Sequence, residues 1–373
     1  MALTGLVLSL LIPVLAAAAA ATQAPIVSPE VHADRTVTFR YRDATAKKVE
    51  LSLEGSDPVP MAKGANGIWT LTTAPLAPDI YGYSFTADGE TRMDIHNSAF
   101  KPNLIWCGNM VTVPGNPPLP WEVQNVPHGQ LHRHFYRSGV IGDERDFFVY
   151  TPPGYQASGR TKYPVLYLLH GFSDMTNGWT AIGMAHTILD NLIAQGKTKP
   201  MIVVMTLGYG VPDFASPTRG GYAGSNIRSK NFELYRQALF SEVIPVVEKE
   251  YRASSSKSQR AIAGLSMGGA QTLFVGLNNL DKFSYVGAFS SGNLPSTFDK
   301  DLPGFDGAKA NKALKSLWIS CGVDDGLIGF NRELYKWLQN QNVKVQYHET
   351  PGRHAWMVWR RNLIDFSQLL FKN

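Results

Sequence analysis

The segment Gly264-Leu265-Ser266-Met267-Gly268 follows a short apolar run, Arg260-Ala261-Ile262-Ala263, and leads into a second apolar stretch, Ala270 to Leu280. A Gly-x-Ser-x-Gly placed between a buried strand and a helix forms a sharp turn with the serine at its apex. Small residues two positions before and two after the serine let that turn close. The hydroxyl then projects from the end of the sheet, at the mouth of a helix whose N–H groups favour a developing negative charge. This one junction demands a parallel-type sheet edge, a following helix and a chemically exposed serine.

The rest of the chain supplies such a sheet. Val165-Leu166-Tyr167-Leu168-Leu169 and Met201-Ile202-Val203-Val204-Met205 are continuous apolar runs, the pattern of strands covered on both faces. Helical periodicity occupies about 181–195, 232–251, 267–280, 330–341 and 359–371. Strands alternating with helices predict a mostly parallel sheet with helices on both sides. Residues 26–112 read differently. Val37-Thr38-Phe39-Arg40-Tyr41, Val49-Glu50-Leu51-Ser52-Leu53 and Tyr81-Gly82-Tyr83-Ser84-Phe85 alternate with period two, separated by turns such as Glu54-Gly55-Ser56-Asp57 and Ala87-Asp88-Gly89. That rhythm predicts a small antiparallel sandwich. Between the two lies Val113-Pro114-Gly115-Asn116-Pro117-Pro118-Leu119-Pro120, whose prolines make a stiff linker and a boundary near 115–125.

At the N-terminus, Leu6 to Ala21 is almost wholly apolar and leads through alanines to Thr22-Gln23-Ala24. It reads as an export leader cut after Ala21 or Ala24. No Lys or Arg precedes the apolar run, so an uncleaved anchor is the alternative. The expected organisation is therefore a leader over 1–24, a β-sandwich over 25–115, a Pro-rich linker over 116–127 and an α/β domain over 128–373. A hydrophobic fraction of 44%, a charged fraction of 17% and a net charge of +5 suit a globular chain. The Lys and Arg residues are scattered, which argues against nucleic-acid binding. Cys107 and Cys321 fall in different expected domains and are read as two free, buried thiols.

A serine hydroxyl at its ordinary pKa needs a neighbouring base. In folds with this elbow the chain order is serine, then carboxylate, then histidine. Only His348 and His354 follow Ser266. His348 lies within an alternating strand, whereas His354 follows the turn Thr350-Pro351-Gly352-Arg353, beyond the strand end where reactive groups belong. His354 is therefore the predicted base. The carboxylate should follow Trp318-Ile319-Ser320-Cys321-Gly322, where Asp324 and Asp325 both stand; local sequence leaves the two nearly equal. Backbone N–H groups of Met267, just past the serine, and of Phe172, in the loop His170-Gly171-Phe172-Ser173-Asp174, are the expected oxyanion donors.

Trp179, Trp356 and Trp359 are candidates for an aromatic substrate wall. So is Tyr209, in a long glycine-rich loop over 208–229 that also holds Phe214 and Tyr222. His132-x-His134 has metal-like spacing, but strand alternation explains it. With no Cys/His ligand set, P-loop or Gly-x-Gly-x-x-Gly after a strand, neither a metal nor a cofactor is expected.

From about residue 126 onward the chain resembles carbohydrate esterase family 1, in particular its bacterial feruloyl esterases. The likeness rests on Tyr163-Pro164-Val165-Leu166-Tyr167-Leu168-Leu169-His170-Gly171, Asp190-Asn191-Leu192-Ile193-Ala194, Arg260 to Gly269, Asn279-Leu280-Asp281-Lys282-Phe283, Cys321 to Phe330 and Pro351-Gly352-Arg353-His354. It implies an α/β-hydrolase fold. The family's Gly-x-x-Asp maps onto Gly322 and Asp325, so the resemblance implies Asp325 as the acid, with Ser266 and His354. The N-terminal region resembles the immunoglobulin-like family 48 carbohydrate-binding modules, through its strand rhythm and the Ile105-Trp106-Cys107 region. The implied function is an exported serine esterase that removes feruloyl or acetyl groups from plant cell-wall polysaccharide. Enterochelin-type siderophore esterases and mycolyl transferases share the plan, and a carbohydrate-binding protein with an inactive hydrolase domain is the non-enzymatic alternative. The loop at 208–229 is longer than in the shorter family members.

Overall fold

A computed structural model of the chain describes residues 25–212, 214–215 and 225–372. The leader-like residues 1–24 and Tyr222 lie outside the described residues.

Residues 30–113 form two antiparallel sheets. One joins Glu30–Val31, Val37–Arg42, Ile68–Thr72 and Ala62–Lys63; the other is built on Val49–Leu53, Asp79–Ala87 and Gly108–Val113. Period-two alternation sends Val49, Leu51 and Leu53 inward while Glu50 and Ser52 stay half-buried. The inward faces of both sheets share one apolar core containing Phe39, Trp69, Tyr83, Phe85 and Val111.

The C-terminal half is organised on eight strands: β1 (Gln130–Arg137), β2 (Glu144–Thr151), β3 (Val165–Leu169), β4 (Ile202–Thr206), β5 (Arg260–Leu265), β6 (Tyr285–Phe289), β7 (Ser316–Gly322) and β8 (Gln346–Thr350). Their order across the sheet is β1-β2-β4-β3-β5-β6-β7-β8. β2 runs antiparallel to its neighbours β1 and β4, and all later pairings are parallel. The apolar runs are buried on both faces because successive side chains enter different cores. Val165, Tyr167 and Leu169 of β3 join one apolar layer, and Leu166 and Leu168 the other. Helices α1 (Ala185–Ala194) and α5 (Trp356–Ser367) cover one face; α2 (Ser225–Ala238), α3 (Met267–Asn278) and α4 (Ile328–Asn340) cover the opposite one. This is the architecture expected for the C-terminal half. The topology puts the ends of β3, β5, β7 and β8 along one edge, where loops can converge.

Three local expectations change. The loop expected over 208–229 ends early, because α2 already begins at Ser225, and Phe214 is buried rather than displayed. Cys107 is exposed, with its thiol donating to the Asn103 carbonyl; Cys321 is the buried thiol expected, and both are free. The Pro-rich stretch is docked. Trp121 is buried against Ile80 and α5, and the Asn191 amide donates to the carbonyls of Pro120 and Glu122 at 2.8 Å each. His132 and His134 sit on the half-buried side of β1, where His134 stacks on Phe147 and meets the Tyr251 hydroxyl. Among the described residues no helix is long and apolar enough to cross a membrane.

A buried charge joins the halves. The Arg360 guanidinium, fully buried on α5, donates to Asp79 at 2.7 Å, to the Ile80 carbonyl at 2.5 Å and to the Ile182 carbonyl at 2.9 Å. Arg361 pairs with the other Asp79 oxygen at 2.6 Å. Removing Asp79 strands the fully buried Arg360 guanidinium in a low-dielectric interior with only neutral carbonyls beside it. The Asp79→Ala substitution is expected to lose about 3–5 kcal/mol of stability, measured by denaturant unfolding.

Candidate active site

The turn after β5 has the strain its sequence implies. Ser266 adopts φ 52° and ψ −118°, a region non-glycine residues avoid at a cost of about 1–3 kcal/mol. Glycines flank it because there is no room for more. A Cβ at Gly264 would lie 2.5 Å from the Gly268 carbonyl oxygen, and one at Gly268 would lie 2.4 Å from the His170 carbonyl oxygen. Hydrogen bonds hold the turn from both sides: Ser266 N–H donates to the Phe289 carbonyl and Gly292 N–H to the Ser266 carbonyl. α3 starts at Met267, so its first N–H groups have no partner within the helix and point toward the serine side of the turn.

His354 stands in the loop between β8 and α5. Its Nε2 is 2.9 Å from Ser266 Oγ and its Nδ1 is 2.8 Å from Asp325 Oδ2. The structure thus brings together the three predicted residues, and it separates the two aspartates. The Asp325 side chain is fully buried, and its second oxygen accepts the Leu327 N–H, while Asp324 is solvent-exposed. Burial by itself would raise the Asp325 carboxyl. The hydrogen bond and charge of His354, together with the Leu327 N–H, hold it below the usual carboxylate range. It is therefore ionised and able to stabilise an imidazolium. Trp359 sets its edge against the His354 ring, with centroids 4.8 Å apart. His348 lies on β8, stacked on Trp318.

The loop after β3 is fixed by a second histidine. His170 Nε2 accepts the Gly208 N–H at 2.9 Å, so the ring proton sits on Nδ1, which donates to the Gly171 carbonyl at 2.7 Å. A trans peptide points its C=O and N–H in opposite directions, so this bond aims the Phe172 N–H away from His170. Gly171 itself packs close to the serine; a Cβ there would come within 3.4 Å of Ser266 Cβ. Burial lowers the His170 pKa to about 4. In the same loop, burial pushes Asp174 up to about 7 despite the nearby Lys101 ammonium, and Asp174 accepts a hydrogen bond from the Asn103 amide.

Ser266 and His354 open into a cavity of about 470 Å³ whose walls include Trp106, Phe172, Trp356 and Trp359. Lys101 is the one cation among the described lining residues, and it lies 3.3 Å from the Glu54 carboxylate. A larger cleft of about 820 Å³ shares Glu54, Lys101, Trp106 and His354 and runs along the N-terminal sheets.

Of the aromatic candidates, Trp356 and Trp359 reach the cavity wall. Trp179 does not: it is 1% exposed, donates to the Leu169 carbonyl and packs against Trp356 as core. Tyr209 is also displaced from the expected role. Its ring packs on His170 and Phe214, and its hydroxyl donates to the Asp174 carbonyl. Both are absorbed by packing because their polar tips find backbone partners inside. Sequence reasoning missed Glu54, Lys101, Asn103 and Trp106. These residues meet the C-terminal loops only across long chain separations, with no local pattern to announce them.

The esterase family profile matches residues 138–370. The chain belongs to the esterase family. This esterase is 31% identical over 351 residues to a Xylanibacter ruminicola protein named endo-1,4-beta-xylanase/feruloyl esterase, covering 92% of this chain and 46% of the relative. It is 23% identical over 239 residues to the acetyl esterase of Caldicellulosiruptor saccharolyticus, covering 56% of this chain and 83% of that one. The chain spans under half the length of its xylanase-named relatives, 46% of the first and 15% of the second, from Acetivibrio thermocellus. In fold it is similar to the CE1 ferulic acid esterase of Anaeromyces mucronatus (TM-score 0.58, 23% identity, 67% of this chain and 93% of that one). It is also similar to the enterobactin esterase of Shigella flexneri (TM-score 0.66, 19% identity, 90% of this chain and 94% of that one).

The depressed His170 pKa has a signed consequence. A histidine held neutral when folded contributes stability that is present above pH 6.5 and lost as the pH falls toward 4. The deficit of a His170→Gln variant relative to the parent is expected to shrink by about 3 kcal/mol between pH 7.5 and pH 4, read from paired denaturant titrations.

Proposed function

We propose that this esterase is exported and hydrolyses feruloyl or acetyl esters on plant cell-wall polysaccharide such as arabinoxylan. The observation that carries the reading is the unbroken hydrogen-bonded line from Asp325 through His354 to Ser266, opening into an aromatic-walled cavity. In this reading His354 Nε2 takes the Ser266 proton as Oγ attacks the ester carbonyl. Asp325 holds the proton on Nδ1 and stabilises the imidazolium. The N–H groups of Met267 and Phe172 stabilise the oxyanion. His354 then protonates the departing sugar hydroxyl, which leaves the acyl group on Ser266. Water, deprotonated by the same histidine, releases the acid and restores the serine.

The acyl preference follows from the walls. Trp106, Phe172, Trp356 and Trp359 offer aromatic faces and edges to a phenylpropenoyl ring, and the Lys101 charge is offset by Glu54. A siderophore catecholate would call for a net basic pocket, which makes that reading the second choice despite the fold likeness. The relative named feruloyl esterase supports the first. The leader over 1–24 fits export, and the N-terminal sheets fit an immunoglobulin-like module resembling family 48, placed so that its larger cleft lies along the path of the glycan.

Ser266→Ala is expected to lower hydrolysis of methyl ferulate and acetylated xylan about 10⁶-fold, and Asp325→Asn about 10⁴-fold. Activity of Ser266→Ala within about tenfold of the parent overturns the assignment. Faster turnover of a catecholate trilactone than of any feruloyl ester would move the reading to the siderophore class.

A further inference from the structure

Helix α5 begins two residues after His354, and it begins without a cap of its own. The residue before its first turn is Ala355, which has no side-chain acceptor, and no acidic residue occupies that first turn. Helices ordinarily start on Ser, Thr, Asp or Asn, because the first N–H groups need acceptors. Here the acceptor comes from far away in the chain. Glu54, at the end of Val49–Leu53 in the N-terminal sheets, accepts the Trp356 N–H with Oε1 at 2.9 Å. Its other oxygen accepts the Gly82 N–H at 2.9 Å and faces the Lys101 ammonium at 3.3 Å.

The Glu54 side chain is 10% exposed, so the group is held by these partners rather than by water. On the other flank of His354, Arg353 pairs with Asp57 of the same turn at 2.7 Å. The histidine loop is therefore tied to the turn 54–57 on both sides of the imidazole. The exposed Arg353–Asp57 pair contributes little by itself, which leaves Glu54 as the principal tie.

We propose that Glu54 is a positioning residue for catalysis: it caps α5 from the N-terminal sheets and thereby sets the register of His354 between Asp325 and Ser266. The N-terminal half is then part of the catalytic apparatus. This rests on the Ser266–His354–Asp325 reading above. A carboxylate also fits the helix N-terminus electrostatically. Burial alone would raise the Glu54 carboxyl, but the Lys101 charge and the Trp356 and Gly82 N–H groups hold it below the usual range, so it carries its charge at neutral pH.

The test uses the full chain and a small soluble acetyl ester, whose KM does not depend on contacts with a glycan. Glu54→Ala is expected to lower kcat at least tenfold, with KM changed less than about threefold. Glu54→Gln, which keeps an oxygen acceptor for the Trp356 N–H, is expected to keep kcat within about fivefold. Glu54→Asp keeps the charge but withdraws the acceptor by one methylene, and it should resemble alanine; it also serves if the alanine variant fails to fold. Fluorophosphonate labelling of Ser266 should slow in parallel with kcat. A kcat within threefold of the parent in folded Glu54→Ala or Glu54→Asp overturns the proposal, as does an effect confined to KM or to melting temperature. Ser266→Ala, run alongside, separates the two failures. If it is inactive while the Glu54 variants are normal, only the positioning role falls. If it stays active, the catalytic reading falls and takes this proposal with it.

Discussion

Everything in the site is measured from one strained turn. Ser266 can hold φ 52° because backbone approaches on either side leave space only for hydrogen, at Gly264 and Gly268. The unfavourable dihedral is overdetermined by its surroundings: the β5–β6 pairing, the start of α3 and the carbonyls of Leu169 and His170. Strain of this kind persists only where packing leaves no alternative. It fixes the hydroxyl to a sheet edge rather than to a loop. The imidazole and the carboxylate come from loops, and their placement against that fixed point is where the remaining structure is used.

Two of those loops are held from outside the C-terminal sheet. The histidine loop meets Glu54 and Asp57; the loop carrying Phe172 meets the segment 103–106, through Leu104 N–H to the Ser173 carbonyl and the Asn103 amide to Asp174. Trp106 then sets its edge against Phe172. The same N-terminal surface that lines the cavity therefore braces the elements forming it. Beneath, Arg360 and Asp79 lock the halves together at a buried ion pair.

Much of this is legible in the sequence alone. The elbow motif, the strand runs and the order serine, aspartate, histidine are local or ordinal signals, and each arises from a physical requirement of its own. A mostly parallel sheet covered on both faces follows from apolar runs too long to be one-sided, whereas the order of its eight strands has no local signal. The choice between Asp324 and Asp325 is not local: adjacent side chains at a strand end differ only in which way the chain turns next. The family's Gly-x-x-Asp spacing points to Asp325, and in the structure it is Asp325 that meets the Leu327 N–H and His354. Trp179 and Tyr209 misled because large aromatics suit a wall and a core equally well, and only the indole bond to Leu169 and the hydroxyl bond to Asp174 decide between them. Glu54 was invisible for a deeper reason. Its partner is 302 positions away, and a helix that lacks its own cap looks in sequence merely like a weak start.

The docked proline stretch changes how the molecule could be divided. A proline-rich junction invites being treated as a hinge, a place to splice one unit onto another. Here Trp121 is wedged beside Arg360 and Arg361, with ring-to-guanidinium separations of 5.5 and 4.9 Å, and Asn191 grips the backbone on either side of it. The junction is a weld. Chimeras made by exchanging whatever precedes it would have to bring a matching indole, Asp79 and Glu54 along, so the unit that evolution or an engineer can transplant is the pair of halves together.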